Sequence, residues 1–120
     1  MTAEKEQLGK ALADVNAMLG AMVGFAMESQ SEPKAIYKAG LNTTRLLMAA
    51  GEIIIAWLLL RQAVIAEEKI TGAAKDLDFY KGKIAAAKYF VRTVLPHLRS
   101  ELKIVQSEAG ELMEVPESAY

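Results

Sequence analysis

The sequence predicts an all-α fold: an elongated antiparallel up-down-up bundle of three long helices followed by a C-terminal tail. Three observations carry this. Apolar residues recur at three- and four-residue spacings through most of the 120 residues, no segment shows strand-type alternation, and the strongest breaks, Pro33 and Thr71-Gly72, leave only short connections.

The first segment places Leu8, Leu12, Val15, Leu19, Met22 and Ala26 at alternating four- and three-residue spacings, with Ala11, Met18 and Phe25 on the neighbouring face. That periodicity predicts an amphipathic helix over about 3–29. Thr2 is its candidate cap, Glu4 and Glu6 suit the positive end of the helix dipole, and Glu28-Ser29-Gln30-Ser31 before Pro33 should end it.

A second helix is expected over about 33–70, since proline fits a first turn and Thr71-Gly72 supplies a stop, with Gly40 as a candidate bend or break. Within it Leu46–Leu60, LLMAAGEIIIAWLLL, carries apolar or small residues on every face and only Glu52 interrupts it. A helix apolar all round is a buried helix. Its neighbours in a three-helix bundle cover only part of its circumference, so a remaining face is expected to meet another protein surface. The expected contact centres on Ile53, Trp57 and Leu60, in a chain that is at least a dimer.

The third helix, over about 76–109, opens at Asp76 and carries Ile84, Ala87, Val91, Val94, Leu98, Leu102 and Val105 on one stripe. Pro96 falls inside the stripe and predicts a kink rather than an end, because the periodicity resumes after it. At 1.5 Å per residue the three helices reach about 40, 55 and 50 Å, and the short connections make neighbours antiparallel. The tail at 110–120, GELMEVPESAY, contains Leu112, Met113 and Val115, which argue against free disorder. The chain is expected to be a single helical domain.

A net charge of −1 and a pI of about 5.9 leave no global basic field for nucleic acid or an anionic membrane. Cysteine is absent, so disulfide and thiol chemistry are excluded and a reducing, cytoplasmic location fits. No signal core opens the chain, and the run Ile53–Leu60, bracketed by Glu52 and Arg61, falls well short of the roughly 20 residues that span a bilayer. No membrane span is expected.

No Glu-x-x-His pair, nucleophile motif, phosphate-cradling loop or dinucleotide fingerprint is present, so no catalytic, cofactor-binding or metal-binding residue is assigned. His97, the single histidine, reads as a capping or surface residue. Gly20, Gly24, Gly40 and Gly51 read as close helix-packing points, and Met18, Met22 and Met27 as core rather than an acyl pocket. Lys81, Lys88, Arg92, Arg99 and Lys103 recur at spacings of seven and four and read as a solvated face. Glu52 is different, because an unpaired carboxylate in an apolar helix is strongly disfavoured. It is expected to be buried and partnered, with Arg45, two turns earlier on nearly the same face, as the first candidate and the third helix as the alternative.

The segment Phe79–Phe90, FYKGKIAAAKYF, continuing to Val94-Leu95-Pro96, resembles the last long helix of the acetyl-CoA-dehydrogenase-like C-terminal domain. Trp57–Ala63, WLLLRQA, resembles that domain's central helix, and Leu112–Glu117, LMEVPE, its closing tail, in the same order. The domain is appended to large acyl-CoA dehydrogenases, including those similar to methylmercaptopropionyl-CoA dehydrogenase. The resemblance implies a role in fatty acid metabolism beside an FAD-dependent oxidoreductase that converts acyl-CoA to 2,3-enoyl-CoA. In such enzymes the glutamate base and the flavin contacts lie in upstream domains, so no catalytic or cofactor residue is carried over. FAD is expected in the parent enzyme and none in this chain, which alone should be inactive. Its implied partners are the dehydrogenase body, a second copy, or both, with the chain an excised fragment or a separate docking polypeptide. The alternative is a stand-alone helical module that self-associates without enzymatic activity.

Overall fold

Among the described residues, helical periodicity is realised in five α-helices: α1 (Thr2–Glu28), α2 (Ile36–Gly40), α3 (Thr43–Ile70), α4 (Leu77–Thr93) and α5 (Leu98–Gln106). This computed structural model describes residues 1–72 and 75–120, and no strand occurs among them. The all-α expectation holds. The connection expected between the second and third helices includes 73–74, which lie outside the described residues.

Two interruptions divide the expected long helices. The second, expected over about 33–70 with Gly40 as a candidate bend or break, does divide: Pro33–Ala35 forms a 3₁₀ turn, α2 follows, and the break falls just after Gly40 at Leu41–Asn42, where Asn42 leaves helical geometry at φ −117° and ψ 2°. The short amide of Asn42, buried at 1% exposure, donates to the Lys38 carbonyl (2.9 Å) and to Glu108 Oε2 (3.1 Å), while the Gly110 amide donates to Glu108 Oε1 (3.1 Å). This clasp ties the break to the far end of α5. Gly110 stands at φ 72°, where a side chain is strained.

At Pro96 the expected kink is a full interruption, because the missing N–H and the ring clash leave Leu95–His97 as a 3₁₀ turn between α4 and α5. The stripe still survives: Ala87, Val91, Leu98, Leu102 and Val105 are all buried, with Leu95 added. Beyond α5 the tail returns beside the α2 end of the molecule, where Lys34 pairs with Glu114 at 3.0 Å.

Chain direction can be read from ion pairs. Glu4 and Asp14, both buried on α1, meet Arg92 (3.1 Å) and Arg99 (3.0 Å) in ascending order, so α1 runs alongside α4 and α5. Two members of the basic stripe expected to be merely solvated therefore fasten α1. Thr2 lies within α1 and makes no cap, since the N-cap position belongs to Met1.

The core is thin and rich in alanine. On α3 its residues are Ala49, Ala56, Ala63 and Leu60, with the three alanines seven residues apart and α4 as the principal neighbour. Alanine permits close helix approach, and it leaves the large side chains of α3 pointing outward. On α1 the core face is Ala11, Met18 and Met22, whereas Leu12 and Leu19 from the expected stripe are exposed. The result is a thin body with extents of 68 × 29 × 15 Å.

Taken over their whole lengths, α1 and α3 are long and apolar enough to cross a bilayer. The run Ile53–Leu60 is only the middle of the second segment. Length and composition alone also describe a helix with an uncovered apolar face, and most of both segments is unburied within the chain.

Candidate functional site

Glu52 and Arg45 do not pair with each other. Arg45 Nη1 forms an ion pair with Glu101 of α5, and Glu52 Oε2 stands 3.2 Å from His97 Nε2. The Pro96 turn causes the exchange by presenting His97 to α3 at the level of Glu52 and Glu101 at the level of Arg45. His97 is thus a partner of Glu52 rather than a cap. The four groups line a groove of about 340 Å³ together with Thr44 and Met48. Glu52 Oε2 is shielded from solvent and no donor is in hydrogen-bonding line with it, and Arg45 Nε is likewise shielded and unpartnered.

Burial pushes the Glu52 carboxyl above its ordinary value of 4.5; His97 opposes this and Glu101 reinforces it. Glu4 moves the other way, held below 4.5 chiefly by a hydrogen bond from its own backbone N–H at the start of α1, and further by Arg92. The signs fix the pH response. A raised carboxyl favours the fold fully below its unfolded value and loses that contribution as pH rises through the folded one. The Glu4 contribution is present above the unfolded value and is lost as pH falls through its depressed folded value. Mild acidification towards pH 5 is therefore expected to raise the melting temperature through Glu52. The rise should be absent in Glu52→Gln, and an equal rise in both proteins would remove Glu52 as its source. At neutral pH, Glu52→Leu should be tolerated better than Glu52→Ala, since leucine removes the desolvation penalty without opening a cavity. Urea midpoints in the reverse order would contradict this.

This groove fastens helices; it does not assemble chemistry. Among the described residues no three metal-ligating side chains converge.

The second feature is the outward face of α3. Leu47, Gly51, Ile54, Leu58, Arg61 and Ile65 follow one another at spacings of four, three, four, three and four, on the side opposite the buried alanines. Leu47 is 73% exposed. Of the three residues expected at a contact, Trp57 is exposed beside this ridge, Ile53 is half-buried against the core, and Leu60, at 4% exposure, turns inward. The inward role of Leu60 was signalled by its position four residues after Ala56 and three before Ala63. Trp57 carries the Arg61 guanidinium 5.0 Å above its ring.

Grooves flank the ridge on both sides. One, of about 340 Å³, lies between Lys5 and Leu8 of α1 and Trp57, Val64 and Ile65 of α3. The other, of about 310 Å³, lies between Ile65 and Phe79, with the Lys83 ammonium 5.3 Å over the Phe79 ring. Helical spacing places exposed Leu12, Leu19 and Val23 on the Leu8 side of α1, which widens the apolar surface. Contiguous exposed apolar faces of this kind are uncommon on soluble monomers.

Residues 1–116 match the family described as acetyl-CoA dehydrogenase C-terminal like. The chain belongs to that family. This C-terminal-like chain is 38% identical over 119 residues to the broad-specificity linear acyl-CoA dehydrogenase FadE5 of Mycobacterium tuberculosis, covering 98% of itself but 20% of that protein. It is 36% identical over 83 residues to a butyryl-CoA dehydrogenase of Syntrophomonas wolfei, covering 67% of itself and 14% of that protein. A second butyryl-CoA dehydrogenase of the same organism is 30% identical over 82 residues. The chain therefore spans one fifth or less of the length of these relatives, and its match to the first lies in that enzyme's C-terminal region.

Proposed function

We propose that this chain is the accessory and oligomerisation domain of an FAD-dependent acyl-CoA dehydrogenase, acting on linear acyl-CoA thioesters in the cytoplasm through a body it does not itself contain. The uncovered apolar face of α3 is the observation that carries the reading: a domain whose large side chains point outward is built to be packed against. The relatives supply the context, since they are acyl-CoA dehydrogenases several times longer than this chain.

FAD is expected in the dehydrogenase body rather than on these residues. A dinucleotide needs a shaped pocket with free donors for its pyrophosphate, whereas the polar groove is open and its Arg45 is engaged by Glu101. The apolar grooves offer Lys5, Arg61 and Lys83 as cations, two of them stacked on aromatic rings, and Gln62 and Tyr80 as neutral donors. The purified chain is expected to be colourless and unable to reduce an acceptor dye when given acyl-CoA. A stoichiometric bound flavin would overturn the reading. Mixed with the dehydrogenase body of the Mycobacterium tuberculosis relative lacking its own C-terminal region, the chain should form a complex measurable by light scattering. Failure to bind, with self-association retained, would leave the stand-alone interaction module instead.

A further inference from the structure

We infer that two copies of this chain pair antiparallel through α3, about a twofold axis at the level of Ala56. The inference rests on the reading that this face self-associates, and it adds the register and the partner of each residue. The outward ridge is symmetric in sequence about position 56: Ile54 and Leu58 lie two residues to either side, Gly51 and Arg61 five, and Leu47 and Ile65 nine. A twofold axis there sets Ile54 against the partner's Leu58, Leu47 against the partner's Ile65, and Gly51 against the partner's Arg61. The spacing of four and three along the ridge is that of a helix seam that interlocks with another helix.

Charge and volume select this direction. Arg61 is the sole charge on the ridge, and a parallel pairing would bring it onto its own copy, placing like charges side by side. In the antiparallel pairing the two arginines lie ten residues apart along the axis, about 15 Å at 1.5 Å per residue. Each then faces a glycine. Gly51 sits inside α3, where glycine is disfavoured relative to alanine, and, as at the glycines of α1 and α4, a Cβ built on it meets nothing within 4 Å in this chain. No packing within one copy explains that glycine. Opposite the stacked pair of Arg61 and Trp57 it leaves room for the bulkiest feature of the ridge.

The native chain contains no cysteine, so engineered thiols report without interference. The full chain carrying Leu47→Cys and the full chain carrying Ile65→Cys are each oxidised alone and after co-expression. Disulfide-linked dimers are expected only from the co-expressed pair, because in this register position 47 lies about 27 Å along the axis from its own copy. Dimers from each variant alone would mean a parallel pairing and would overturn the inference. No disulfide in either case, with light scattering still reporting a dimer, overturns this register but leaves self-association standing; a monomer overturns both. Gly51→Trp should weaken self-association at least tenfold while leaving far-ultraviolet circular dichroism unchanged. Undiminished association would again overturn the register.

Discussion

Leu98→Ala is expected to destabilise the chain by about 3 kcal/mol, within the range for truncating a fully buried leucine. Leu98 is 0% exposed and opens α5 directly after the Pro96 turn, in the same core cluster as residues of α1 and α3. Two conditions make the loss large. Large, fully buried side chains are few, with Met18, Leu95, Val91 and Val105 as its main company. Ala49, which lines the same groove on α3, has nothing to swing into the vacated space, so most of the cavity should persist. Against a total of about 5–15 kcal/mol for a domain, this removes a large fraction. A urea titration that finds less than about 1 kcal/mol would show that the site collapses and that the core is more compliant than its composition implies.

The second large effect inverts the usual rule about large and small apolar residues. Ala56→Leu is expected to destabilise the chain by about 1–3 kcal/mol, because three added carbons at a position with 0% exposure would force α3 away from its neighbours. Leu58→Ala, two residues later and on the opposite side of the same helix, should change single-chain stability by less than about 0.5 kcal/mol, as for an ordinary surface site. Measured at concentrations low enough to keep copies apart, the contrast tests which face of α3 looks inward. Equal effects at the two positions would mean that the helix is rotated.

The helices and the third stripe were legible because their information is periodic: Ala87 to Val105 carries one apolar face and one charged face, and a single phase satisfies both. The orientation of α3 was not, because a helix apolar all round has no preferred phase, so Ile53, Trp57 and Leu60 looked equivalent until a neighbour distinguished them. The decisive signal was the seven-residue recurrence of Ala49, Ala56 and Ala63, which reads as filler when leucine and isoleucine are assumed to mark the inside. On α1 the same assumption put Leu12 and Leu19 on the core stripe, with Ala11 only on the neighbouring face. That Glu52 needs a partner followed from its surroundings, but the partner's identity depended on the geometry of the Pro96 turn, which sequence spacing does not encode. Asn42 carried a readable preference for helix breaks, yet its bond to Glu108 joins positions 66 apart. Such long-range closure is visible only in three dimensions.

The length of the molecule bears on how its assembly is measured. Its radius of gyration is 19.7 Å, whereas a compact chain of this size would have one of about 14 Å. A rod of these proportions experiences more friction than a sphere of equal mass, so it diffuses slowly and leaves a sizing column early. A single copy would thus pass for a heavier particle on any calibration made with round standards. A side-by-side pair would gain breadth with little added length, and its elution would shift less than its doubled mass implies.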